Sequence, residues 1–248
     1  MPGGGNALRI RVIGGGLAGP EAALTAARLG CQVDLYEMRA VVDGKQRLTP
    51  AHRTTDFGEL VCSNSLKSES PSTAPWLLKQ EMRRAGAALL RIADETAVPA
   101  GHALAVDRVE FSRRISEAIA AEARIRVIRE EVTSLKLAGV EDALTVVATG
   151  PLTSDALSQE IERLTGEGRL AFYDSISPIV DTESIDMSRV YLAARWDKGT
   201  ADYINCPMDR AEYDRFYDAL LAAEAAEEKE WEKLDYFPPH APKTGAWG

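Results

Sequence analysis

The chain is poor in the residues that build cross-linked or metal-held proteins: among its 248 residues are three cysteines and three histidines. Cys31, Cys62 and Cys206 are odd in number and share no paired spacing, which argues against a disulfide framework or a zinc cluster and for reduced thiols. No two histidines stand at metal-ligand spacing, so no metal is expected. No apolar run approaches the roughly 20 residues that cross a bilayer, and Met-Pro-Gly-Gly-Gly-Asn lacks the basic and apolar regions of a signal peptide. These absences predict a soluble, cytoplasmic protein with no membrane partner. Positive charge is also short. A formal net charge of −9 argues against a protein that coats nucleic acid by counterion release, although a local basic patch is compatible with it. Neither a repeat nor a low-complexity tract is found.

What is present begins at the N-terminus. Leu8 to Ile13 is rich in Ile and Val, alternates weakly between apolar and basic residues, and stops at glycines, which predicts a short buried strand. Pro20 to Leu29 is rich in Ala and Leu and is followed by Gly30, the pattern of a helix with a glycine stop. Cys31 to Glu37 reads as a second strand, completing a βαβ unit. Between the first strand and the helix lies Gly14-Gly15-Gly16-Leu17-Ala18-Gly19, which supplies GxGxxG through Gly14, Gly16 and Gly19. Gly14 permits the tight turn, Gly16 lets the backbone approach a pyrophosphate, and Gly19 lets helix and strand pack closely, while the helix N-terminus stabilises the phosphate charge. Glu37, about twenty residues on at the end of the second strand, offers a carboxylate to ribose hydroxyls and disfavours a 2′-phosphate. A dinucleotide site follows, for FAD or NAD rather than NADP. Glu21 is ambiguous between neighbouring the cofactor and facing solvent with Arg28.

Val41 to Ala74 is polar and too long for a simple connection. Within it, Cys62 sits in Glu59-Leu-Val-Cys-Ser-Asn-Ser65 and reads either as an accessible thiolate nucleophile or as a small buried filler. Cys31 and Cys206 read as filler. His52 is either a phosphate or proton handler or an ordinary turn residue. Trp76 to Ile92 has the spacing of one amphipathic helix, and Lys79, Arg83 and Arg84 on it are either a strip for RNA phosphates or a solvated face. Val106 to Ala123 predicts another helix with Asp107 as its N-cap, and Ile125 to Ile128 and Ala143 to Ala148 predict strands, the latter ended by Thr149-Gly150-Pro151. Helices are expected around Asp155 to Leu164 and Arg210 to Trp231, short strands around Ala171 and Tyr191, and an irregular tail from Phe237.

Several of these tracts together resemble the flavin- and folate-dependent tRNA uracil-5 methyltransferases, the TrmFO or Gid family. The likeness rests on Val12-Ile-Gly-Gly-Gly-Leu-Ala-Gly19, Asp34-Leu-Tyr-Glu-Met-Arg39, Thr49-Pro-Ala-His52, Glu59-Leu-Val-Cys-Ser-Asn-Ser-Leu66 and Ala148-Thr-Gly-Pro-Leu-Thr-Ser154. Val98-Pro-Ala-Gly101, Ala103 to Arg108, Ser177 to Val180, Glu183 to Met187 and Tyr203 to Met208 continue it in order. The resemblance implies an α/β fold: a Rossmann-like, glutathione-reductase-like FAD domain over 1–168, incomplete, and part of an inserted α+β domain over 169–248. It implies FAD held at Gly14, Gly15, Gly16, Leu17, Ala18, Gly19, Glu37, Thr149 and Gly150, and a functional Cys62 beside the flavin, attacking uracil or shielding the flavin. The implied reaction is C5-methylation of a T-loop uridine in tRNA, with methylenetetrahydrofolate and NAD(P)H as co-substrates. Where the family continues with Gly-Cys and Pro-Val-Glu motifs, this sequence has Pro238-Pro-His-Ala-Pro242, and Cys206 does not replace the second cysteine. The expectation for the short chain is impaired catalysis with weak FAD binding. The alternatives are another FAD or NAD oxidoreductase and a non-catalytic nucleotide-binding remnant.

Overall fold

The computed structural model describes residues 8–135, 144–166, 180–194 and 199–224. In chain order these form β1 (Arg9–Ile13), α1 (Ala18–Arg28), β2 (Gln32–Tyr36), β3 (Ala40–Val42), β4 (Lys45–Arg47) and β5 (Ser65–Ser68). Then come α2 (Ala74–Arg84), α3 (Ala88–Glu95), β6 (Ala97–Val98), β7 (Ala103–Val106), α4 (Arg108–Ala121), β8 (Ile125–Ile128) and β9 (Leu144–Val147). A short 3-10 turn at Gly150–Leu152 leads to α5 (Asp155–Thr165), β10 (Tyr191–Ala193), β11 (Tyr203–Asn205) and α6 (Arg210–Ala222).

The chain divides into two compact units, residues 1–205 and 206–248. The boundary expected at 168/169, and the strand expected near Ala171, lie outside the described residues.

A parallel sheet in the order β8-β2-β1-β9 organises the first unit. The weak alternation of β1 is explained by its two faces. Ile10 and Val12 join Val33 and Leu35 in the main core with α1, α3 and α4, where Phe111, Ile115 and Ile119 stack at helical spacing. The basic residues of β1 serve polar partners: Arg9 and Arg126 both donate to Asp34, and Arg11 donates to Thr145 Oγ1 and the Leu135 carbonyl. At the end of β1, Ile13 joins Val132 and Leu157 of α5 in a second, smaller core.

The predicted Trp76–Ile92 helix is two helices. Gly86 adopts φ +77° between them, and the Gly86 and Ala87 N–H groups donate to the Arg83 and Met82 carbonyls, a full left-handed helix stop. Arg28 then donates to the carbonyls of Ala85 and Gly86. The Glu21 side chain serves a distant helix. Its carboxylate accepts from the Ala88 and Leu89 N–H groups at 3.0 and 2.8 Å, capping α3, which has no side-chain cap of its own. Glu21→Ala is therefore expected to cost about 1–2 kcal/mol, read as a fall of about 2–8 °C in melting temperature.

The long polar segment is ordered. It carries the β3–β4 hairpin, and its β5 joins an antiparallel sheet in the order β5-β7-β6. Val106, expected to open a helix, ends β7 instead, and α4 starts after Asp107, which accepts from Val109 and Glu110 N–H. Of the two readings of the α2 cations, a strip for RNA phosphates or a solvated face, neither describes Lys79 and Arg83. Lys79 is 5% exposed, its Nζ donating to the carbonyls of Leu66, Lys67 and Ser68, and Arg83 is paired with Asp94 and Glu69.

Among the described residues, no helix is long and apolar enough to cross a membrane. In the second unit α6 opens with a reciprocal cap between Asp209 and Glu212, and its Tyr213 and Tyr217 rings stack at 6.3 Å. The helix expected to run to Trp231 stops at Ala222, where Ala223 turns extended (φ −65°, ψ 148°), and the tail lies outside the described residues.

Candidate functional site

In a parallel sheet, ligands settle beyond the carboxyl ends of the strands where the strand order reverses. Here β2 lies on one side of β1 and β9 on the other, and the glycine turn emerges between them. A Cβ on Gly14 would stand 2.4 Å from the Ala148 carbonyl oxygen and 2.9 Å from Thr149 Cα, and its φ is +113°, so both space and backbone demand glycine. At Gly19 a Cβ would lie 1.8 Å from the Gly14 carbonyl oxygen, the close helix-to-strand approach expected of the third glycine. Gly16 differs from both: a Cβ there would meet nothing within 4 Å. Its missing side chain leaves open space above the turn. No side chain caps the start of α1, so its first N–H groups are left for a partner from outside the helix.

Gly15 has a reason the spacing rule did not supply. A Cβ there would come within 2.2 Å of Glu37 Oε2 and 2.8 Å of the Phe57 ring. Glu37 thus reaches the turn, as expected, but not as an isolated acceptor. It is 6% exposed and paired with Arg39, whose Nε donates to Oε1 at 3.0 Å and Nη2 to Oε2 at 3.2 Å, while the Arg39 N–H donates to Oε1 at 2.8 Å. Burial pushes the Glu37 carboxyl up, and the hydrogen bonds and charge of Arg39, aided by Arg129, outweigh it, holding the group below its ordinary value of 4.5. A depressed carboxyl stabilises the fold above its unfolded value, and that stability is lost as pH falls through the folded one. The urea midpoint is therefore expected to drop below about pH 4.5 and to drop less in Glu37→Gln. The half-buried Glu110 and Glu160, held at about 2 by Arg113 with Arg114 and by Arg163 respectively, act in the same direction, so the Glu37 share is read from the difference between the wild type and Glu37→Gln.

A cleft of about 440 Å³ gathers the expected residues: Gly14, Gly15, Gly16, Leu17, Ala18, Glu37, Cys62, Thr149 and Gly150 line it, and Gly19 supports it from below. His52 is on its wall, with Nδ1 2.6 Å from Thr49 Oγ1. Thr149 Oγ1 lies 2.6 Å from Thr153 Oγ1 at the opposite rim. Cys62 is exposed on the cleft, which removes the buried-filler reading, whereas Cys31 packs partly against the main core and Cys206 is exposed in the second unit. Among the described residues no group of three or more His, Cys, Asp or Glu is arranged to hold a metal.

Sequence reasoning missed Arg39, Glu59 and the Glu130-Glu131-Val132 stretch, all on the cleft wall. Arg39 ends the Asp34-Leu-Tyr-Glu-Met-Arg39 tract, yet nothing in its spacing marks it as buried. Arg129, also missed, lies behind this wall, its guanidinium 4.3 Å above the Phe57 ring and donating to the carbonyls of Arg39 and Thr55.

A parallel sheet with a glycine turn at its switch point, an open helix start and a carboxylate at the end of the second strand defines an α/β protein of the Rossmann-like dinucleotide-binding class. The chain belongs to the GidA family, matching the family described as Glucose inhibited division protein A over residues 9–241. It is 65% identical over 230 residues to the methylenetetrahydrofolate-tRNA-(uracil-5-)-methyltransferase TrmFO of Koribacter versatilis (strain Ellin345), covering 93% of this chain and 50% of that protein. The protein of the same name from Solibacter usitatus (strain Ellin6076) is 56% identical over 219 residues, covering 87% of this chain and 47% of that one. The chain thus spans about half the length of the curated relatives it matches. Among solved structures, Aquifex aeolicus GidA in its form II crystal aligns at a TM-score of 0.44 and 19% identity, over 59% of this chain and 25% of that one.

Proposed function

We propose that this chain is the FAD-holding part of a cytoplasmic enzyme that methylates C5 of a T-loop uridine in tRNA, with methylenetetrahydrofolate as carbon donor and NAD(P)H as the source of electrons. The single observation that carries the reading is that one cleft collects the glycine turn, Glu37, Thr149-Gly150 and the Cys62 thiol. Two features fit a dinucleotide without a 2′-phosphate, as FAD is. The space left by Gly16 and the uncapped start of α1 suit a diphosphate, and an ionised Glu37 suits unphosphorylated ribose hydroxyls. The relatives' shared name, which cites the folate, the tRNA and the uracil position, supports the reaction class.

In this reading the N–H groups at the start of α1 bind the diphosphate, and Glu37 accepts from the ribose. Thr149 and Gly150 close the opposite wall. When bound, FAD supplies the reducing equivalents that convert a methylene into a methyl group. On the same reading the thiolate of Cys62 would bond to C6 of uracil and move an electron pair to C5; C5 would then bond to the folate's methylene carbon as that carbon's bond to the folate nitrogen breaks, and loss of the C5 proton with departure of the thiolate would restore the ring, now carrying the one-carbon unit.

The test is a T-arm RNA carrying 5-fluorouridine, whose fluorine cannot leave as a proton does, so that the Cys62–C6 bond persists on a denaturing gel. Cys62→Ser is expected to abolish that adduct while FAD affinity stays within about twofold, because an exposed thiol-to-hydroxyl change removes little contact. An adduct of equal yield in the variant would contradict the assignment of Cys62.

A further inference from the structure

Resting on the FAD reading, a second role follows from the buried charges behind the cleft. Arg39 is 2% exposed, and each nitrogen of its guanidinium is engaged. On one side it grips Glu37 and donates from Nη2 to the Gly15 carbonyl at 3.4 Å, so it touches both the carboxylate and the glycine turn of the dinucleotide cradle. On the other, Nη1 donates to Glu59 Oε2 at 3.2 Å and to the Thr54 carbonyl at 3.3 Å.

Glu59 is itself a hub. It accepts from the Arg53 N–H at 2.8 Å, the Thr54 N–H at 3.1 Å and Thr54 Oγ1 at 3.0 Å, which closes residues 53–59 into a loop around one carboxylate. Gly58 N–H fastens that loop to the Gly15 carbonyl at 2.9 Å. Cys62 stands three residues further along the chain, on the cleft. One planar, five-donor fork therefore joins the residues that would receive a ribose to the segment that presents the thiol, and a lysine has neither the reach nor the geometry for both.

We infer that Arg39 and Glu59 are positioning residues that hold Cys62 in register with the dinucleotide cradle, so that occupancy of the cradle and placement of the thiol are coupled. A plain structural staple would stabilise the loop whether or not the cradle is filled. A coupling latch makes the protection of Cys62 by FAD depend on Glu59.

The experiment measures FAD affinity by equilibrium dialysis and the iodoacetamide alkylation rate of the Cys62 peptide by mass spectrometry, with and without saturating FAD, on the whole chain. In the wild type saturating FAD is expected to slow alkylation about tenfold; in Glu59→Gln, at an FAD concentration that saturates the variant, protection is expected to fall to about twofold or less. Arg39→Lys, which keeps the charge and loses the fork, is expected to weaken both FAD binding and protection by about tenfold. Circular dichroism melts confirm that each variant is folded at the assay temperature. Glu59→Gln protecting Cys62 as the wild type does, at saturating FAD, would overturn the coupling and leave the FAD reading intact. No FAD binding by the wild type would overturn the FAD reading and this inference with it.

Discussion

Gly16→Ala is expected to weaken FAD binding by about a hundredfold or more, close to 3 kcal/mol, while shifting the melting temperature by no more than about 3 °C. Gly19→Ala is expected to lose both binding and fold stability. The two glycines share a motif and differ in what surrounds them. A methyl at position 16 enters open space and strains no backbone angle, so the folded chain tolerates it, yet it fills the room a diphosphate needs against the turn. The same methyl at position 19 stands 1.8 Å from a backbone carbonyl oxygen, which no rotamer change relieves. Separation of β1 from α1 follows, at about 3 kcal/mol or more. Isothermal titration with FAD alongside thermal melts reads both quantities. Equal loss of stability in the two variants would show that Gly16 serves the fold rather than a ligand.

Arg39→Met is the second large effect, with an expected loss of about 3–5 kcal/mol in unfolding free energy measured by urea denaturation. Methionine matches much of the volume and carries no charge, so Glu37, 6% exposed, and the largely buried Glu59 are left without their shared cation. A buried carboxylate deprived of its partner costs far more than the pair contributes when intact. The double variant Arg39→Met with Glu37→Gln is expected to recover part of the loss, since it removes one of the two stranded charges. By contrast, Arg113→Ala on the solvent face of α4 breaks its pairs with Glu110 and Glu117 and is expected to shift the urea midpoint only slightly, because exposed ion pairs contribute little. An Arg39→Met midpoint moved no further than that of Arg113→Ala would show that the buried network carries no stability.

The parts of the site that were legible in the sequence are those whose signal is local. GxGxxG between an apolar run and an Ala-rich helix fixes a turn by steric necessity, and Glu37 lies where β2 must end. The polar character of residues 59–65 left Cys62 open between an accessible thiol and a buried filler, and its exposure decides for the former. What was not legible depends on partners far along the chain. Lys79 reads as a solvated charge until the three carbonyls of residues 66–68 converge on it. Glu21 reads as a helix-surface carboxylate until the N-terminus of α3, 67 residues later, meets it. Gly86 sits in an unbroken apolar period, and only its positive φ shows that the helix ends there. The pairing of β5 with β7 joins short strands nearly forty residues apart, one of them bulged and Ser-rich, so neither has the alternation that identifies a strand. Arg39 combines both difficulties: its burial is invisible in its neighbours, and its role depends on Glu59, twenty residues on.

A crystal structure of the chain with FAD bound tests the central claim most directly. The diphosphate is expected against the N–H groups of Gly16, Leu17 and Ala18, with a ribose hydroxyl donating to Glu37 while Arg39 keeps its grip on the same carboxylate. FAD seated elsewhere, with the Gly14–Gly19 turn and Glu37 untouched by it, would contradict the claim.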